Sequence, residues 1–87
     1  MFMKSGLGLF RALGDPTRYK LVSVLLRGER CACELPFMVK RAQPTVSLQL
    51  KFLAAAGILR SRREGKKVLY SINGDEMESF LRAAGMG

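Results

Sequence analysis

Cys31 and Cys33, one alanine apart in the stretch RCACELPF, are the side chains in this sequence best suited to chemistry. As thiolates, two sulfurs this close can seize a soft metal or metalloid ion. As thiols in an apolar setting they are small, inert fillers of a core, and under oxidation they change state. Their spacing alone leaves all three open, so the elements around them have to be read first.

A second constellation is cationic. The 87 residues carry fifteen Lys and Arg against seven Asp and Glu, a net charge of +8. Such a balance favours a polyanionic partner, nucleic acid or an anionic surface. The charge is uneven: RSRREGKK, residues 60–67, holds five basic residues and one acid, whereas three acids crowd into Asp75–Glu78. Enzymatic chemistry is disfavoured, because the chain has no histidine, no phosphate-binding glycine loop and no acid pair in an evident pocket. Two cysteines are too few for a disulfide framework, which points to a reducing, cytoplasmic setting. The opening MFMKSGLGLFRALG, interrupted by Gly6, Gly8 and Arg11, reads as neither a secretion signal nor a membrane span.

The spacing of apolar residues predicts a first helix over about residues 2–13. Asp15-Pro16 supplies a cap and a first-turn proline for a second helix over 16–27, which buries Val22, Leu25 and Leu26 before Gly28. A third helix is expected over 32–39; Pro36 is tolerated only near its beginning, so the regular part starts close to Cys33 and leaves Cys31 in the preceding turn. Pro44 opens a fourth helix with Val46, Leu50, Leu53 and Ala54 at three- and four-residue intervals, ended by Gly57. Residues 58–63 and 67–72 read as strands of a hairpin joined by Glu64-Gly65-Lys66. Asn73-Gly74-Asp75 then caps a last helix, about 74–84, whose stripe is Met77, Phe80, Leu81 and Ala84.

The order α-α-α-α-β-β-α describes a mainly α chain with one small β-hairpin, a single winged helix-turn-helix domain spanning 1–87. So short a chain supports only a small core, and Phe10, Leu13, Phe80 and Leu81 lie on stripes with few internal partners. A homodimer through the two terminal helices is expected. In a winged helix-turn-helix the fourth helix enters the major groove of double-stranded DNA, and its first turns reach the base edges. Gln43, Thr45, Ser47 and Gln49 supply donors and acceptors there, and Leu48 can touch a thymine methyl; Lys51 is placed for a phosphate. Arg62, Arg63, Lys66 and Lys67 form a basic wing suited to phosphates or the minor groove.

The segments LFRALGDPTRYKLVSVL, CACEL, AQPTVSLQLKFLAAAGIL and RREGKKVLYSI, in that order over about residues 9–72, resemble the ArsR/SmtB family of metal-responsive winged-helix repressors. QPTVS followed by L-K-x-L-x-x-A-G-I is the most specific part. The resemblance implies a dimer on a two-fold operator, released when a metal or metalloid binds; no cofactor is expected to be required. CACEL is similar to the Cys-x-Cys element of arsenic- and cadmium-sensing members, which implies Cys31 and Cys33 as ligands and As(III) or Cd(II) as inducer. Three departures stand out. Ser47-Leu48-Gln49-Leu50-Lys51 replaces the common Ser-Arg-His-Leu-Lys, Ala42 replaces the serine before Gln-Pro, and Pro36 occupies the position of a third cysteine. Zinc sites of the kind built from histidines on the last helix are set aside.

A helix N-terminus and nearby Arg30 both favour the thiolate form. In a regular helix residues two apart point to opposite faces, so both sulfurs hold one ion only where that first turn is extended or unwinds. The expected route from thiol to operator is therefore deformation of the third helix. The readings beside it are a regulator whose cysteines are silent or redox-responsive, and a protein-interaction or RNA-associated winged-helix module.

Overall fold

The computed structural model describes residues 11–86. Helical residues 11–13 (α1) precede α2, Pro16–Leu25. The carboxylate of Asp15 accepts from the Thr17 and Arg18 amides at 2.7 and 3.3 Å, satisfying two donors that the first turn of α2 leaves without intrahelical partners. Leu26 and Arg27, expected within this helix, form a closing turn instead, and Leu26 is buried. A short strand β1, Arg30–Cys31, leads through a turn to α3, Leu35–Val39, which ends at Lys40 in the left-handed region (φ 57°). Helix α4, Gln43–Ala55, follows, and then the wing, β2 (Leu59–Glu64) and β3 (Lys67–Ile72). Helix α5, Asp75–Ala83, closes the described chain.

The two expected strands pair as an antiparallel hairpin from Leu59↔Ile72 to Glu64↔Lys67. The tight connection is Gly65-Lys66, with Glu64 in the strand; Gly65 takes φ +63°, a conformation that L side chains rarely adopt. The sheet has a third strand that the sequence reading lacked. β1 pairs with β3 through Arg30↔Tyr70 and Cys31↔Leu69, so β3 lies in the middle of the order β1-β3-β2. Two residues are too few to show an alternating pattern of their own; the free edge of β3 makes them a strand.

The expected third helix is corrected in the same place. It begins at Leu35 rather than near Cys33, because residues 32–34 form a turn closed by the Glu34 amide donating to the Cys31 carbonyl at 2.9 Å. Pro36 falls in the first turn of α3, where its missing N–H leaves no bond unmade.

Leu21, Val22, Leu35, Val46, Leu50, Leu53, Ile58, Leu59 and Leu81 are almost wholly buried and form the shared core of α2, α3, α4, the sheet and α5. On α5 the residues facing this core are Met77 and Leu81, whereas Phe80 is half exposed and Ala84 exposed. Of the residues expected on the dimer stripe, Leu81 thus packs inside its own chain, Leu13 is half-buried, and Phe10 lies outside the described residues.

Candidate nucleic-acid interface and thiol site

Helix α4 buries Val46, Leu50 and Leu53 on one face, which turns Gln43, Thr45, Ser47, Leu48 and Lys51 outward. Four of these carry hydrogen-bonding or charged groups; Leu48, 66 % exposed, is an apolar contact in their midst. Gln49 is placed differently. Its side-chain oxygen accepts from Arg18 Nη1 at 2.9 Å, and the same guanidinium donates to the Ala12 and Arg11 carbonyls at 2.7 and 3.3 Å and stacks 4.3 Å from the Phe52 ring centroid. Arg18 therefore ties α1, α2 and α4 together, and Gln49 presents less free hydrogen-bonding capacity to a groove than Gln43. Nothing local marks Arg18 for this role in the sequence, since its partner Gln49 lies 31 positions away.

The wing cations divide as well. Arg62 forms a two-pronged contact with Glu29, both N···O distances being 2.8 Å. This hydrogen-bonded guanidinium holds the Glu29 carboxyl below the usual carboxylate range, and the Glu29 carboxylate in turn raises the Arg62 pKa. Both groups are open to solvent, so the pair orients the wing more than it stabilises the fold. Arg63, Lys66 and Lys67 are exposed and make no ion pair among the described residues.

The cysteine pair sits between these two features. The Cys31 amide donates to Glu34 Oε1 at 3.0 Å, the Cys33 amide donates to Cys31 Sγ at 3.3 Å, and the Ala32 amide donates to the Val68 carbonyl of the wing at 2.8 Å. Cys31 is 6 % exposed, Cys33 is exposed, and their Cα atoms are 5.2 Å apart with the sulfurs joined as a disulfide. Because strand and turn replace the expected helical start, the two sulfurs meet with α3 intact. The thiol pair is coupled to the wing by backbone hydrogen bonds, a connection invisible in a local reading of CACEL.

Cys31, Ala32, Cys33 and Pro36 line one side of a groove of about 380 Å³ whose other walls are Gln43, Val46, Ser47, Leu50 and Lys51 of α4 and Lys66, Lys67, Val68 and Tyr70 of the wing. Two soft sulfur donors suit a thiophilic ion once reduced, but no cluster of three or more Cys, His, Asp or Glu residues able to hold a metal is found among the described residues. Among these residues, too, no helix is long and apolar enough to cross a membrane.

Residues 15–61 match the profile described as bacterial regulatory protein, arsR family. A probable mercury resistance operon repressor of Streptomyces lividans is 41 % identical over 75 residues, covering 86 % of this chain and 60 % of that protein. A homologue of the cadmium resistance regulatory protein CadC of Staphylococcus aureus is 36 % identical over 77 residues, covering 87 % of this chain and 64 % of the relative. The chain thus spans less than two thirds of the length of these two relatives. Among solved structures, the transcriptional repressor BigR of Xylella fastidiosa superposes with a TM-score of 0.79 at 32 % identity, covering 88 % of this chain and 79 % of the other.

Proposed function

The chain belongs to the arsR family of bacterial regulatory proteins, winged-helix transcriptional regulators rather than enzymes, and from that premise we propose a dimeric repressor released from a two-fold operator when Cys31 and Cys33 bind a thiophilic ion. Arsenite is the first expected effector and cadmium the next. The observation that carries this reading is the position of the sulfurs, side by side in the groove shared by the recognition helix and the wing. Mercury and cadmium, which the names of two relatives specify, are soft ions of the class that thiolates select.

In this reading Gln43, Thr45, Ser47 and Leu48 meet base edges, with Gln49 held back by Arg18. Lys51, Arg63, Lys66 and Lys67 neutralise phosphates, and Arg62 does so only by sharing its charge with Glu29. Phe80, half exposed on α5, belongs to the dimer face together with α1. An ion on the sulfurs acts through β1 on β3, and so on the wing beside Lys67, without any need for α3 to unwind. For release, the thiolates must bind the ion more tightly in the free protein than on DNA, since equal affinity for both states shifts nothing. A coupling of about 1–3 kcal/mol, roughly 5- to 150-fold in operator affinity, is the ordinary size of such effects.

The disulfide favours one second reading, in which oxidation of the same pair is the signal. The deciding experiment titrates the protein against DNA upstream of its own gene, reduced and oxidised, with and without arsenite, cadmium and zinc. Cys31→Ser and Cys33→Ser are expected to keep DNA binding and lose release by arsenite. Release of the double serine variant by metal at the normal concentration would place the sensor elsewhere, and loss of binding on oxidation alone would favour the redox reading.

A further inference from the structure

The groove holds more than the sulfurs require. A trivalent acceptor such as arsenite bonds to three thiolates, and the described chain supplies two; no third thiol, imidazole or free carboxylate joins them. Glu34, the nearest acid in sequence, is turned to the Cys31 amide at 3.0 Å. Beside the exposed Cys33 the groove stays open, with room of about 380 Å³, enough for a small organic molecule. Its lining includes Lys51, Lys66 and Lys67, which form no ion pair among the described residues, beside Gln43 and Ser47 and an apolar floor of Val46 and Leu50.

We infer that this groove admits a small carboxylate-bearing thiol as the third ligand of the ion held by Cys31 and Cys33, its sulfur completing the donor set and its carboxylates lying against the three lysines. This rests on the thiol-sensor reading and names the co-ligand that the reading leaves out. The Cys31–Cys33 disulfide is first reduced by two molecules of the same small thiol, which leave joined as their own disulfide, and the binding step that follows involves no redox change. Each of the three S–H protons leaves with one hydroxyl of arsenite as water, three arsenic–sulfur bonds replace three arsenic–oxygen bonds, and arsenic remains trivalent. A neutral thiol offers the same sulfur but nothing for the lysines, and a cationic one is repelled. The bound carboxylates also occupy the charges that hold phosphates in the DNA complex, so co-ligand and operator compete for the same three side chains.

The test uses the reduced full chain without DNA, with arsenite and one of three monothiols: mercaptosuccinate (anionic), 2-mercaptoethanol (neutral) or cysteamine (cationic). Native mass spectrometry reads the stoichiometry, and arsenite titration followed by the sulfur-to-arsenic ultraviolet absorption reads the affinity. The thiols' own affinity for arsenite cancels when each wild-type value is divided by that of the K51Q/K66Q/K67Q variant. The expected result is a one-to-one-to-one complex with mercaptosuccinate, a ratio of roughly tenfold for that thiol and near one for the neutral thiol, because three exposed charges each contribute modestly. The anionic preference in the wild type should also shrink as salt is raised, a check independent of any variant. Arsenite bound without a thiol, or with a ratio near one for all three thiols, overturns the co-ligand while leaving the sensor standing. No uptake of arsenite under any thiol overturns both the co-ligand and arsenite as the sensed ion.

Discussion

Three arginines engaged by the fold and three lysines around the cysteine turn lead different lives. On one side Arg18, Arg62 and Arg82 are each tied into the fold: Arg18 to the Ala12 carbonyl, Gln49 and the Phe52 ring, Arg62 to Glu29, and Arg82 to Glu78 and to the Leu26 carbonyl at 2.7 Å, which the end of α2 leaves without an intrahelical partner. Around the cysteine turn, Lys51, Lys66 and Lys67 line an open groove without any ion pair among the described residues. The difference follows from chemistry. A planar guanidinium with five donors can bridge two or three acceptors at once, whereas an ammonium on a flexible stem is a mobile point charge. Net charge alone therefore does not tell engaged cations from available ones: Arg18, Arg62 and Arg82 are held by the scaffold, whereas Lys51, Lys66 and Lys67, like Arg63, remain for a partner.

The largest expected effect breaks the lysine side. K51Q/K66Q/K67Q should lower the slope of log binding constant against log salt by about 2.7, three phosphates at 0.9 each, and weaken specific and random duplexes alike; R62Q should change the slope by less than one such step. Equal slopes for the two variants in a salt titration would erase the distinction between free and engaged cations. Next in size, Gln43→Ala or Thr45→Ala should cost roughly 1–3 kcal/mol on the cognate site and little on random DNA. Gln49→Ala should cost less than either, because its oxygen is held by Arg18. A Gln49 loss matching that of Gln43 would show that the Arg18 contact is given up on DNA.

On the arginine side, Arg18→Met keeps much of the aliphatic stem but removes the donors to Ala12 and Gln49. It should destabilise the fold by about 1–3 kcal/mol, read as a lowered urea midpoint with an unchanged m-value. The smallest effect belongs to Arg62 and Glu29. The pair lowers the Glu29 pKa beneath its ordinary 4.5, so its contribution is present above that pH and fades as pH falls through the lowered value. Wild type and Glu29→Gln should differ slightly in thermal stability at neutral pH and converge in acid. A difference that grew on acidification would contradict the sign of the shift.

Where one stretch of chain decided the outcome, the sequence was enough. Asp15 before Pro16 did cap α2, the three- and four-residue spacing of Val46, Leu50 and Leu53 did form the buried face of α4, and β3 spans the expected Lys67–Ile72. Each depends on caps, prolines and apolar periods written over a few neighbouring residues, which is why the helix-turn-helix and its wing were legible. Tertiary structure alone decided that Arg30–Cys31 is a strand, since its ladder partners Leu69 and Tyr70 come from the far side of two helices. It also decided that Arg62 finds Glu29 and Arg18 finds Gln49, pairs separated by 33 and 31 positions. Whether a side chain is engaged or available depends on what the fold brings beside it, and charge or thiol chemistry read along the chain carries no record of that neighbour.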